Sequence, residues 1–350
     1  QSVVRGTTSR ALSVINSFST RWESGVMWSN AVAFYQDGGL FDISSLQIEN
    51  SFVGAFGSNS VVHFNQSGDR ISDYNQYFLT NGAFVAAVTR PSSVITTRYE
   101  NVSFWNRATG QDAHSFVREP NFANVNSGDF HPKTTAPMGR YNSITGQWTN
   151  DTTFSRLIDA GNPATPYFSE PSPNGQRINI GAYGGTGQAS HSPTGGWFTV
   201  VSYYDGGSVQ GEVTLNWIAG GEALGHLVSI DWSPVGDLAW TNIVTDIPAS
   251  QGTITWNTVG FGRAACGKWR VVSQNNTNYY DTSKDCITLR DETGSIPYYV
   301  NDSSVTGDVF CTAIGNSLNS GLLPSDPVNS IQQIINTYKL EPVDIIYVDT

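Results

Sequence analysis

Between Asn30 and Trp105 the sequence repeats itself loosely. NAVAFYQDGGLFDISSLQIENSFV opens at Asn30, NSVVHFNQSGDRISDYNQYFLTN at Asn59, and GAFVAAVTRPSSVITTRYENVSFW at Gly82. Each segment begins on a short apolar run, turns through Gly, Asp, Ser or Pro, and ends on a second run. The starts lie roughly two to three dozen residues apart, a period that belongs to solenoids. One such coil cannot bury its own inward side chains, whereas stacked coils bury them in a continuous column. Residues 1–128 are therefore expected to form β-coils of parallel strands stacked at about 4.8 Å. Val32, Ile48, Phe52, Val62, Phe64, Val85, Val102 and Phe104 are the expected inward positions. An ordinary β-sandwich with imperfect repeats is the competing reading.

Only 13% of the 350 residues are charged, and the formal net charge is −11. Gly, Ser, Thr and Asn carry the surface, which suits turn-rich β structure. No Lys/Arg cluster is present, which argues against a nucleic-acid partner or an anionic membrane surface. No apolar run is long enough to span a bilayer, so no membrane insertion is expected. The chain begins at Gln1 without Met. A removed leader, or a window of a longer chain, is the expectation. Cys266, Cys286 and Cys311 include no CxxC pair and no neighbouring His at zinc spacing.

Asp129 to Ser190 separates two unlike halves. In GRYNSITGQW, Thr145-Gly146 lies between Tyr141 and Trp148 and predicts a hairpin. The motifs DFH, LIDAGNP and RINIGAYGG resemble the closing segment of bacterial right-handed parallel β-helix proteins. That resemblance implies that residues 129–193 cover the open end of the column, so that its strand edges do not template aggregation.

From Thr194 the pattern becomes short alternating strands. They are expected at 197–200, 213–217, 227–232, 240–244, 253–256, 268–273 and 287–289. That many strands in about a hundred residues argue for a sandwich over 194–291. VSIDWSPVGDLAWTNIVTDIPASQGTITWNT resembles a fibronectin-III-like or immunoglobulin-like module of bacterial extracellular proteins. Residues 292–350 read as a polar linker, a helix and a strand. Asp326 is the expected N-cap and Pro327 the first helical residue, with Ile331, Ile334, Ile335 and Tyr338 on one face. This order resembles the beginning of another parallel β-helix, whose helix would cover an apolar end with the three Ile. The expected fold class is all-β: closing coils of one right-handed parallel β-helix, a sandwich, then the capping helix and first strand of a following β-helix.

Catalytic patterning is absent. Asp37, Asp42, Glu49, Asp69, Arg70, Asp73, Arg98 and Glu100 do not recur at one place in successive segments. His63, His114, His131, His191 and His226 form no ligand pair. Trp22, Trp28, Tyr35 and Trp105 are candidates for stacking on sugar rings. Asn301, Asp302 and Asp308 are candidates for calcium, which takes several oxygen ligands; no other cofactor is expected. A hairpin turning near Asn276 would set Cys266 opposite Cys286 at disulfide range, leaving Cys311 unpaired. The expected function is a structural or adhesive block of an extracellular or cell-surface assembly, not an enzyme, partnered by copies of itself or adjacent repeats. The rival expectation is a secreted polysaccharide lyase or glycosidase, or a carbohydrate-binding module.

Overall fold

The computed structural model describes residues 2–15, 17, 19–37, 45–65, 68–89, 96–290, 295–338, 340 and 344–350. Asp42 lies outside them. The chain is mostly β, as expected.

The first region comprises β1 (Ser2–Arg5), β2 (Arg10–Ile15), β3 (Thr20–Glu23), β4 (Gly25–Trp28), β5 (Val32–Asp37), β6 (Ser45–Glu49), β7 (Phe52–Phe56), β8 (Val61–Asn65), β9 (Asp69–Asp73), β10 (Gln76–Thr80), β11 (Phe84–Thr89), β12 (Thr96–Tyr99), α1 (Val102–Thr109) and β13 (Phe116–Val117). The chain visits three sheets in rotation. One has the order β1-β4-β7-β10-β13, one β2-β5-β8-β11-β12, and one β3-β6-β9. All their pairings are parallel except β11 with β12. Each layer of three strands sits on the one before, around a shared core.

Met27, Val53 and Tyr77 stand in register inside that core, as do Trp22, Ile48 and Ser72. Phe34, His63 and Trp105 stack their rings at about 6 Å along the same column, centroids 5.9 and 5.8 Å apart. Ile48, Val62 and Val85 are fully buried in the column core, as expected, whereas Phe52, expected inward, is buried on the outer side of its strand. Val32 and Phe64 are half-buried.

Two expectations need correction. Val102 and Phe104 do not lie on a strand. Asn101 caps α1, its Oδ1 accepting from Phe104 N at 2.9 Å, and Gly110 ends the helix at φ 73°. The helix lays Val102 and Trp105 over the fourth layer, so the column is closed by α1. The segment 129–193 does not cover that end. It runs along the outside of the first sheet, whose outward side chains Val26, Trp28, Phe52, Phe78 and Phe116 are apolar and need covering. Phe130, Leu157, Ala160, Ile180 and Ala182 pack on them. Within the cover are β14 (Phe122–Asn124), β15 (Asp129–Pro132), β16 (Arg140–Asn142) and β17 (Gln147–Thr149). The last two form the expected hairpin, with Tyr141 opposite Trp148. Val3 is the register partner of Val26 on β1 and is 41% exposed, so the cover stops one strand short.

The next region contains β18 (Trp197–Val200), β19 (Gly207–Gln210), β20 (Glu212–Gly220), β21 (Leu227–Ser233), β22 (Thr241–Pro248), β23 (Thr253–Asn257), β24 (Ala264–Ser273), β25 (Tyr280–Thr282) and β26 (Ile287–Arg290). Every strand expected here is present. β18-β20-β23 form one sheet and β19-β26-β24-β21-β22 another, with β25 paired to β24. Both sheets feed one core, including Leu215, Trp217, Trp232, Trp256 and Trp269. Gly267 is required by this packing, because a Cβ there would lie 2.1 Å from the Trp232 ring.

The last region holds β27 (Pro297–Val300), α2 (Ile331–Thr337) and β28 (Ile345–Val348). β27, which the sequence reading placed in a linker, pairs in parallel with β28. The N-cap of α2 is Ser330, not Asp326. Asp326 instead accepts from Ser320 N and Oγ. Ile334 and Tyr338 are buried against Tyr298 and Val328, whereas Ile331 and Ile335 are 45% and 49% exposed. Within this chain only Ile334 of the three Ile is covered. Arg290 clasps Asp344 through two bonds of 2.6 and 2.8 Å, both side chains almost wholly buried.

Candidate functional site

The column changes character at its third layer. Loop 110–115 inserts Asp112, held at φ 58° and 1% exposed, beneath α1. Its Oδ1 accepts from Ser72 Oγ (2.9 Å), Tyr77 OH (2.8 Å) and Ser115 Oγ (2.7 Å), and its Oδ2 from Trp105 Nε1 (2.9 Å). His63 Nε2 lies 3.1 Å from the Tyr77 hydroxyl. Burial pushes Asp112 above the usual carboxylate range, against the pull of the hydroxyls of Ser115, Tyr77 and Ser72. Burial, aided by the Arg70 guanidinium, holds His63 well below the ordinary imidazole value. Burial lowers Arg70 to about 10, so it stays protonated at neutral pH. Both carboxyl oxygens of Asp112 accept from protein donors, whereas His63 Nδ1 and Arg70 Nε and Nη1 are buried without a hydrogen-bond partner among the described residues.

The outer side of the same loop faces a cleft of about 520 Å³, bounded by α1 and residues 112–115 on one side and by β19, β20 and Tyr203 on the other. The walls are bound together. Asp205 accepts from Val102 N, Ser103 Oγ donates to Gly206 O, and Asn216 Nδ2 donates to Ala113 O. Nearby, Arg118 pairs with Asp281, which also accepts from Val200 N. His114 lines the cleft and is held in place from two directions. Asp73 Oδ2 accepts from its Nδ1 at 2.7 Å, and Asp73 Oδ1 accepts from its backbone N at 2.7 Å. The Tyr74 ring stacks on the imidazole at 4.6 Å and 3°. The carboxylate fixes the proton on Nδ1, leaving Nε2 as the free ring atom.

No family model matches the chain, and no curated protein or solved structure matches it. The site is therefore read from its geometry alone.

The cover holds a second buried polar group. Asp159 Oδ1 accepts from Ser192 Oγ at 2.7 Å, and Glu170 Oε1 accepts from Asn179 N and Gly185 N at 2.8 and 2.7 Å. Burial pushes both carboxyls up to about 7. Gly175 is needed here, since a Cβ would lie 2.3 Å from the Asp159 carboxyl. These residues explain the LIDAGNP and RINIGAYGG motifs as loop-fixing elements.

The aromatics expected to stack on sugar are otherwise engaged. Trp105 is inside the column. Tyr35 is buried between Phe64 and the Arg10 guanidinium. Trp22 meets the edge of Phe34, and Trp28 is ringed by Phe52, Phe56, Phe78, Phe122 and Phe130. At the calcium candidate, Asn301 turns its amide N–H groups inward, donating to Ser304 O, Asp308 Oδ2 and Ala313 O. Asp302 accepts from Ser304 N. A cation needs acceptors where this turn places donors. Among the described residues no three His, Cys, Asp or Glu gather around a common point.

Cys266 and Cys286 are bonded, Cα atoms 4.4 Å apart. The route differs from the expected hairpin. The turn after β24 returns as β25, and β26 then pairs with the start of β24, Gly267 opposite Ile287. Cys311 is a buried free thiol, pushed by burial and Asp349 up to about 11. Sequence reasoning missed Asp112 and the Asp73–His114 pair. No local pattern marked either, because loop 110–115 lies outside the repeated segments.

Proposed function

We propose that this chain is a structural or adhesive building block of an extracellular or cell-surface assembly. In this reading residues 2–117 are closing coils of a right-handed parallel β-helix, and 197–290 are a fibronectin-III-like or immunoglobulin-like sandwich. Residues 296–348 open a following β-helix. Its partners are neighbouring copies or adjacent repeats, stacked end to end. One observation carries this reading. Among the described residues β1, β2 and β3 each have a single lateral neighbour, so three parallel edges lie open at one end. The opposite end is terminated by the antiparallel β12 and by α1. Natural proteins block lone edges, and a three-sided parallel edge is matched by another three-sided coil. The surface-exposed Cys266–Cys286 bond suits an oxidising compartment.

Sedimentation velocity on the 350-residue chain tests the reading. Association is expected by about 100 µM. The Val3→Lys/Ile15→Lys variant, charged on two exposed edge positions, is expected to stay monomeric with unchanged unfolding. A parent chain that remains monomeric, or a variant that associates equally, would overturn it.

A further inference from the structure

We propose that the cleft between loop 110–115 and β20 binds a small, uncharged, polyhydroxylated ligand, a sugar unit of about disaccharide size. The inference goes beyond the assembly role and rests on different residues.

Volume comes first. About 520 Å³ falls within the range of small-molecule sites. Polar groups come second. His114 Nε2 is oriented by Asp73 and Tyr74 yet has no protein partner among the described residues. Tyr203, Thr214 and Thr253 line the same space, and their hydroxyls make no hydrogen bond to protein among the described residues. These groups offer both donors and acceptors, as sugar hydroxyls require. The Tyr203 backbone is held at φ 56°, a costly conformation for a residue other than Gly, which keeps the ring in the wall.

Charge comes third. The rim carries one cation, Arg107, and one anion, Glu212, and Asp112 behind the wall is taken up by its own donors. Neither sign dominates, so a phosphate or a uronate gains no advantage. The walls mix these polar groups with Val102, Ala113, Val201 and Val213, which suits a ligand with both hydroxyls and apolar ring faces, whereas a wholly apolar ligand would leave buried groups unpaired.

The test is NMR titration of the intact chain with maltose, cellobiose, lactose and N,N′-diacetylchitobiose, with digalacturonate as the anionic comparison. At least one neutral disaccharide is expected to saturate with a Kd of order millimolar and to move the His114 ring nitrogen signals. Thr214→Leu, which fills the cleft from the exposed face of β20 and leaves loop 110–115 alone, is expected to weaken binding at least tenfold. The proposal fails if no neutral disaccharide saturates, if digalacturonate binds more tightly than all four, or if Thr214→Leu binds like the parent. His114→Ala serves as a second variant. Lost binding with unchanged backbone signals across β19 and β20 supports direct contact, and unchanged affinity overturns it.

Discussion

The second and third layers of the column share a backbone and differ in what they enclose. At four register-matched positions β5, β6 and β7 place Phe34, Leu46, Ile48 and Val53, and the next strands β8, β9 and β10 place His63, Arg70, Ser72 and Tyr77. The apolar layer is stabilised by burial, each such side chain contributing about 1.5–3 kcal/mol. In the polar layer one residue, Asp112, accepts from Ser72 and Tyr77 and also ties in Ser115 and Trp105. The comparison teaches that a polar group in a coil interior can take its partner from a loop outside the repeat.

Asp112→Ala should give the largest effect. It removes the acceptor shared by the buried donors of Ser72, Tyr77, Ser115 and Trp105, and costs about 3–5 kcal/mol. Urea unfolding at pH 7 measures it; a loss below about 1 kcal/mol would show that the layer repacks without it. Ile48→Ala in the apolar layer should cost less, about 2–4 kcal/mol, because it opens a cavity without orphaning a polar group. If it costs more than Asp112→Ala, the contrast between the layers is inverted.

The smallest effect separates the layers by pH. Asp112 has a native pKa above its unfolded value, so the native state holds its proton more tightly. Its contribution is fully present below about pH 4 and is lost as pH rises through the raised native value. The stability difference between parent and Asp112→Asn should therefore shift against the parent as pH climbs from about 4. The difference between parent and Ile48→Ala should stay level across the same range, and a matching slope in both pairs would remove the distinction.

The strands of 197–290 were readable because their alternation is strict, as at Val213, Leu215 and Trp217. The cover's position was missed although its signal was present. Val26-Met27-Trp28 and Phe52-Val53 are apolar at both parities, which means a strand buried on both faces. α1 was mistaken for a strand because Val102 and Phe104 also alternate; the Asn101 and Gly110 caps were the deciding cue. Asp326 was read as the cap because Pro327 follows it, yet its carboxylate accepts from Ser320 and the helix is capped by Ser330. The Asp112 network was illegible because its partners lie up to 49 residues away, and no local pattern marks which loop will turn inward. His114 pairs with Asp73 across a separation of 41 for the same reason.

The cover along the first sheet also acts as a ruler. It reaches the outer row from Val26 to Phe116 and leaves Val3 beyond it. Each inserted coil would lengthen that apolar row by about 4.8 Å and carry it past the reach of the same loops. Coils and cover must then lengthen together or not at all. The strip alongside the coils thus matches a fixed stretch of them, and any coil inserted within that stretch would need cover of its own.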